Sequence, residues 1–403
     1  MTGRSVIPIR PLAAMTSPEL SRLAALPPLA LYIHFPWCVR KCPYCDFNSN
    51  EVRGAFPEDA YLCALIEDLE TALPKVWGRP VVSVFIGGGT PSLLSPAAVE
   101  TLLCATRARL PLVPDAEITL EANPGSAEVA KFAAFRAAGV NRISLGVQSF
   151  NRASLAALGR IHDDRSARAA VDAALKHFDN VNLDLMYCLP DQTSRDLERD
   201  VEAALSWGVT HLSTYQLTLE PNTAFARHPP PLPDEDAAAD MQSLVEETLA
   251  SSGYEHYEVS AFARPGWRCA HNTNYWKFGD YLGIGAGAHS KLSFPDRVTR
   301  EIRLRHPEHY MGRTGTADFL HDSRRVSSAE LPFEFMMNAL RLVDGFEPAL
   351  FAQRTGLPLQ CVAASLQDGC NRGLLRTDAK RIAATRLGLR FLNDLLIRFL
   401  PPA

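Results

Sequence analysis

Cys38, Cys42 and Cys45 fall within eight residues of the stretch LYIHFPWCVRKCPYCDFNSN, with the spacing C-x3-C-x2-C. Thiols clustered this tightly suggest metal ligands, and two kinds of centre compete for them. A structural zinc ion takes four ligands, usually as two short-spaced pairs. Here only His34 and Asp46 stand near enough in sequence for a fourth ligand, and no second C-x2-C follows. An iron–sulfur cluster is also held by thiolates. Three of them leave one iron of a [4Fe–4S] cluster open to an outside molecule, as catalytic metals keep a position for substrate. The remaining alternative is three unrelated thiols in a short polar loop.

Other polar residues recur where a ligand would need them. Gly87, Gly88 and Gly89 end an apolar run, VVSVFIGGG, and their missing side chains let backbone approach a ligand closely. Glu121, Gln148 and Asp184 fall at or near the ends of three successive strand-like runs. Ordinary capping or salt-bridge residues have no reason to recur at strand ends, whereas ligands of parallel α/β folds gather there.

The elements that would position these residues follow from periodicity. Strand-like runs start at LALYIHFP, VVSVFIGGG, AEITLEAN (116–123), RISLGVQSF (142–150), VNLDLMYCLP (181–190) and HLSTYQLTLEP (211–221). Amphipathic stretches separate them, among them 57–73, SPAAVETLLCATRARL with Ser95 and Pro96 as cap and first helical residue, and Asp164 to Phe178. About six βα units predict an α/β fold with a parallel sheet, open or partly closed into a barrel. Residues 227–240 form a proline-rich, then acidic, surface linker. Residues 264–290, RPGWRCAHNTNYWKFGDYLGIGAGAHS, show neither period and are expected to be a functional loop region. From about Ala329 helices return around a hairpin in RGLLRTDAKRIAATRLG, which suggests a winged-helix-like module.

Composition narrows the class. At 403 residues, one large domain and a smaller one are expected. The net charge of −4, and a C-terminal module that is only mildly basic, give no reason to expect a nucleic-acid partner. The first thirty residues are broken by Pro8, Pro11, Pro18, Pro27 and Pro28 and lack a secretory h-region. No apolar stretch approaches a membrane span, so at most peripheral membrane association is expected. A cytoplasmic location, with nine reduced cysteines, is the expectation.

C-x3-C-x2-C directly after a first strand resembles the signature of the radical S-adenosylmethionine (SAM) enzymes. In that family the open iron is chelated by SAM, which a cluster electron cleaves to a 5′-deoxyadenosyl radical. YIHFPWC, GGGTP (87–91), EANP (121–124), GVQSF (146–150), LGRIH (158–162) and DLMYCLP (184–190) are similar in order and spacing to the coproporphyrinogen III oxidase branch. The resemblance implies a partial (β/α)6 TIM-like barrel with a smaller C-terminal helical domain. It divides the chain into an irregular leader (1–28), a radical SAM core (29–265), an H-N-x-x-Y-W region and connector (266–328), and a HemN-like helical domain (329–403). By motif position it implies Cys38, Cys42 and Cys45 as cluster ligands. It also implies Tyr32, Tyr44, Gly88, Gly89, Thr90, Glu121, Gln148, Arg160 and Asp184 as SAM-binding residues, and a reductant for the cluster.

Two departures point to a subgroup. Oxidases of this branch carry a further cysteine two residues after the third, and that position is Phe47 here. HNTNYW (271–276) and CDFNS (45–49) instead resemble the oxidase-like haem chaperones of the HemW type. That resemblance implies haem as a further cofactor and a haem-accepting partner such as a respiratory haem enzyme. Oxidative decarboxylation of coproporphyrinogen III is the alternative, and Phe47 argues against that enzyme activity. Imidazole is a common axial ligand of haem iron, which nominates His271, with Tyr275 and Trp276 as apolar cover for the macrocycle. His289 is a second candidate, for the haem pocket or the SAM site. His271 and Asn272 pinning a loop, with Trp276 in the core, is the structural alternative.

Overall fold

The computed structural model describes residues 23–52 and 54–401. Most of the leader predicted over 1–28 therefore lies outside the described residues. Six strands form the parallel core: β1 (Leu29–Phe35), β2 (Val81–Gly88), β3 (Leu112–Ala122), β4 (Arg142–Gln148), β5 (Asn180–Tyr187) and β6 (His211–Gln216). They lie side by side in sequence order, each pair parallel. Their apolar side chains, such as Leu31, Val84, Leu120, Leu145 and Leu183, are fully buried beneath the connecting helices. Burial on both faces is what near-continuous apolar strands require.

The crossover helices start where local chemistry dictates. The Ser95 hydroxyl accepts from the Ala98 amide at 3.1 Å, and Pro96 opens the helix Pro96–Arg109. Thr193 and Asp196 form a reciprocal capping box at Ser194–Ser206.

The sheet does not stop at six strands. It continues through β7 (Glu255–Glu258), β8 (Ala261–Ala263), β9 (Asp280–Ile284), β10 (His289–Phe294), β11 (Arg297–Arg303) and β12 (Leu320–Arg325). Its order is β12-β11-β10-β9-β1-β2-β3-β4-β5-β6-β8-β7. β9 pairs parallel to β1, with Tyr32 opposite Gly283, and β10 to β12 add antiparallel strands beyond it. The loop expected over residues 264–290 is therefore not what forms there. HNTNYW lies in the helix Ala270–Trp276, and DYLGI and HSKLSF are strands. The five residues of β9 are all buried, so no alternation marks them, and the segment is too short to show a period.

A second core, built on Phe335, Phe346, Phe351, Ile382 and Leu395, holds the C-terminal module together. It packs helices Leu331–Ala339, Pro348–Thr355 and Ala363–Asn371 against the hairpin Leu375–Thr377/Ile382–Ala384. Phe278 and Val298 belong to this core too, so the last strands of the sheet carry the module. Among the described residues no helix is long and apolar enough to cross a membrane.

Candidate functional site

β1 ends at Phe35 and runs into the cysteine loop, which the carboxyl ends of the parallel strands hold in place. The Gly89 and Thr90 amides donate to the Phe35 and Trp37 carbonyls at 2.7 Å each. A Cβ on Gly89 would stand 2.3 Å from the Trp37 carbonyl oxygen, so the glycine is needed for this approach. The Val52 amide closes the loop on the Cys38 carbonyl at 2.9 Å.

Cys38, Cys42 and Cys45 line one cleft. Burial pushes the Cys38 and Cys45 thiols up from their ordinary range. Among the described residues no three His, Cys, Asp or Glu side chains converge on a single metal ion. A cubane cluster takes each thiolate on a different iron and needs no such convergence.

The opposite wall of the cleft comes from strand ends. Gly88, Gly89 and Thr90 close β2, Glu121 stands near the end of β3, Gln148 ends β4, and Asp184 lies on β5. Tyr44 enters from the cysteine loop and Arg160 from the segment after β4. Eight of the nine residues expected to bind SAM therefore share this cleft with the three cysteines. The ninth, Tyr32, does not line it; its hydroxyl meets His34 Nδ1 at 2.9 Å.

These side chains are held in place before any ligand arrives. Glu121 Oε2 accepts from the Gly88 amide at 3.0 Å. Asp184 accepts from Asn182 Nδ2 at 2.8 Å and Ser144 Oγ at 3.3 Å. Arg160 Nη2 donates to Asn123 Oδ1 at 2.5 Å and the Gly146 carbonyl at 2.7 Å, while Nη1 reaches Cys42 Sγ at 3.6 Å. Asn123 Nδ2 in turn donates to Thr90 Oγ1 at 2.9 Å. Asn123 sits inside the EANP motif but was not among the expected site residues; its amide links Thr90 to Arg160. Gln148 has φ +69°, a left-handed backbone that a non-glycine residue adopts at a cost of about 1–3 kcal/mol.

The electrostatics suit a ligand carrying positive charge. Burial, and then neighbouring Asp184, push Glu121 up to about 8, and burial also raises Asp184. Arg160 Nε is buried with no hydrogen-bond partner among the described residues. Two partly buried carboxyl groups and an orphaned guanidinium N–H fit a ligand with both a cationic and an accepting end, as SAM has.

A second cleft, of about 540 Å3, adjoins the first and shares Phe47, Gly88 and Glu121 with it. Tyr32, Tyr275, His34, His289, His321 and Arg305 also line it. Asn48 ties its floor to the cysteine loop, donating to the Ala286 and Arg305 carbonyls at 2.9 Å each. Gly287, at φ +82°, leaves the room: a Cβ there would lie 2.3 Å from Asn48 Nδ2. The sequence motif CDFNS thus has a mechanical role at Asn48 that spacing alone did not reveal.

The expected haem residues part company. Tyr275 lines the second cleft, stacked on Tyr281 at 4.0 Å. His271 does not reach it. Only 4% exposed, it meets Ser83 Oγ through Nδ1 at 3.1 Å, and burial lowers its imidazole to about 3. Glu117 anchors the same helix by accepting from the Ala270 and His271 amides at 3.1 Å. Asn274, rather than Asn272, completes the pinning, donating to the Asp280 carbonyl at 2.9 Å. Trp276 is half-buried under the Arg341 guanidinium, 4.3 Å from its ring, at the junction with the C-terminal module.

The chain resembles known proteins over most of its length. The radical SAM superfamily model matches residues 32–204, and the HemN C-terminal domain model matches residues 326–391. The chain is 48% identical to the haem chaperone HemW of Escherichia coli over 94% of this chain and all of the relative. It is 38% identical to HemW of Mycobacterium tuberculosis, covering 95% of this chain and 97% of that protein. A mouse mitochondrial radical S-adenosyl methionine domain-containing protein is 37% identical over 99% of this chain and 95% of its own length. Among solved structures, coproporphyrinogen III oxidase (HemN) of Escherichia coli superposes with a TM-score of 0.79 at 25% identity, covering 93% of this chain and 90% of that one.

Proposed function

The chain belongs to the HemW-type subgroup of the HemN-like radical SAM family, and on that premise we propose that it binds haem, a [4Fe–4S] cluster and SAM, and passes haem to an acceptor protein. The observation that carries the reading is the single cleft in which the three cysteines meet eight of the expected SAM residues. Cys38, Cys42 and Cys45 hold the cluster there. Gly88, Gly89 and Thr90 present backbone and hydroxyl groups to SAM, and Glu121 and Asp184 offer carboxyl groups, Glu121 giving up its proton as the cationic ligand binds. Arg160, placed by Asn123, spans from SAM to the cluster ligand Cys42. Tyr44 closes the cleft beside the cysteines, Gln148 offers its amide from a strained backbone, and Tyr32 backs the adjoining cleft. Cluster and SAM together supply one-electron chemistry and a carbon-centred radical.

Haem handling is preferred over porphyrinogen decarboxylation because Phe47 stands where the oxidases carry a thiol. Its ring is 60% exposed and faces both clefts, an apolar wall suited to a macrocycle. The partners are a haem-accepting protein and a reductant for the cluster, in the cytoplasm. We take residues 29–265 as the core, 266–328 as the segment whose strands β9 to β12 extend the same sheet, and 329–403 as the helical domain.

Anaerobic incubation of the reconstituted protein with coproporphyrinogen III, SAM and a strong reductant tests the reading. The expected result is no protoporphyrinogen product, with stoichiometric haem binding and transfer to an apo-haem protein. Porphyrinogen turnover without haem binding would make the chain an oxidase.

A further inference from the structure

Resting on the haem reading above, we propose that haem occupies the second cleft with His289 as an axial ligand of its iron and Arg305 paired with a propionate. The expected ligand, His271, is enclosed by Ser83, Phe85, Tyr32 and Tyr275 and has no face on that cleft. An imidazole so placed cannot meet a bulky planar ligand without dismantling the packing between β2 and the helix that bears it.

Of the three imidazoles that line the cleft, His34 is committed elsewhere. Its Nε2 donates to the Asn48 carbonyl at 2.9 Å, so Nδ1 accepts from the Tyr32 hydroxyl and neither nitrogen is available. His289 and His321 are exposed. They differ in place within the sheet: β10 lies two strands from β1, and β12 lies four. His289 opens β10 opposite Ile302 on β11, which also lines the cleft. His321 sits on β12, the last strand of the sheet, where five of six residues are exposed. The imidazole nearer the parallel core is the one a ligand seated in the cleft would meet with its centre.

The remaining walls match a flat anionic macrocycle. Tyr32, Tyr275 and Phe47 offer aromatic surface, and the Arg305 guanidinium stands exposed at the same mouth, its own carbonyl anchored by Asn48. A guanidinium suits a carboxylate through paired N–H donors. The volume of about 540 Å3 lies within the range of ligand clefts, roughly 300–1,000 Å3. It adjoins the first cleft, sharing Phe47, Gly88 and Glu121 with it, while His289, His321 and Arg305 line the second alone.

The test is a haem titration of the full-length, cluster-reconstituted protein, read by absorbance and electron paramagnetic resonance. His289→Ala is expected to change the axial-ligand spectrum and weaken haem binding roughly tenfold or more. Arg305→Ala is expected to weaken binding without altering the spectrum. His271→Ala is expected to leave the spectrum unchanged. Iron content and SAM affinity serve as controls for folding. The proposal is overturned if His289→Ala binds haem with the wild-type spectrum, if His321→Ala or His271→Ala removes the ligand signature instead, or if His289→Ala impairs only SAM binding. Absence of haem binding by the wild-type protein would overturn the haem reading itself, a distinct result.

Discussion

The two adjoining clefts differ in how completely the chain holds them before a ligand arrives. In the cluster cleft, Arg160, Asn123 and Thr90 form one chain of hydrogen bonds, and Glu121 and Asp184 already accept from Gly88, Ser144 and Asn182. In the second cleft, the imidazoles of His289 and His321 and the guanidinium of Arg305 are exposed. The first is pre-organised, which lowers the ordering cost of binding and suits a ligand that must be kept in register with a metal. The second is open and sparsely pinned, which suits a cargo that must also leave. On the proposed function, the contrast separates retention of SAM from release of haem by how many polar side chains are tied down.

The sharpest way to break this comparison is at the cysteines. Replacing Cys38, Cys42 or Cys45 by Ala should abolish cluster assembly, and four irons retained in any one variant would remove the ligand assignment. Next in size is Arg160→Ala, which frees Asn123 and unlinks Thr90 from Cys42. Loss of charge-assisted hydrogen bonds of about 1.5–3 kcal/mol predicts SAM binding weaker by roughly 10- to 100-fold by calorimetry. An unchanged affinity would show that the first cleft is not pre-organised through this chain.

The pH response provides a finer test. Glu121 is raised to about 8, above its ordinary value of 4.5, so between those limits the folded protein holds a proton that the unfolded chain has released. Its contribution to stability is therefore full below about 4.5 and is lost as pH rises through about 8. A cationic ligand reverses the preference by favouring the carboxylate. SAM should accordingly bind more tightly as pH rises from 6 to 8, with proton release, and Glu121→Gln should flatten both profiles. A variant with the wild-type slope would locate the coupling elsewhere. The smallest effect is expected at His271→Ala, a loss of about 1–3 kcal/mol in thermal or denaturant unfolding. SAM and haem affinities should stay near wild type, and a selective loss of haem would return His271 to the ligand set.

Much of the cluster cleft was legible in the residues alone. Cys38, Cys42 and Cys45 are close in sequence, and Glu121, Gln148 and Asp184 recur at strand ends, so local spacing and a repeated βα unit were enough to bring them together. Asn123 and Asn48 were missed because their roles lie in hydrogen bonds to partners 33 and 238 residues away. The strands of residues 280–294 were missed for another reason. β9 is buried on both sides and only five residues long, so it shows no alternation, and Gly283 with Gly285 and Gly287 just beyond it suggested a loop.

His271 marks the boundary between the two kinds of knowledge. Residue type and motif allow it to be a ligand, and nothing local says which way its ring points. Only the packing of the helix Ala270–Trp276 onto β2, with Glu117 anchoring its first amides, decided that the imidazole faces Ser83. The sequence by itself determined the cysteine loop and the parallel sheet, because those rest on short spacings and on periods repeated along the chain, and its motifs carried the resemblance that gave the barrel and the family. The tertiary structure alone decided which histidines face a cleft, because that depends on the register of β9 to β12 against β1, summed over contacts between residues far apart in the chain.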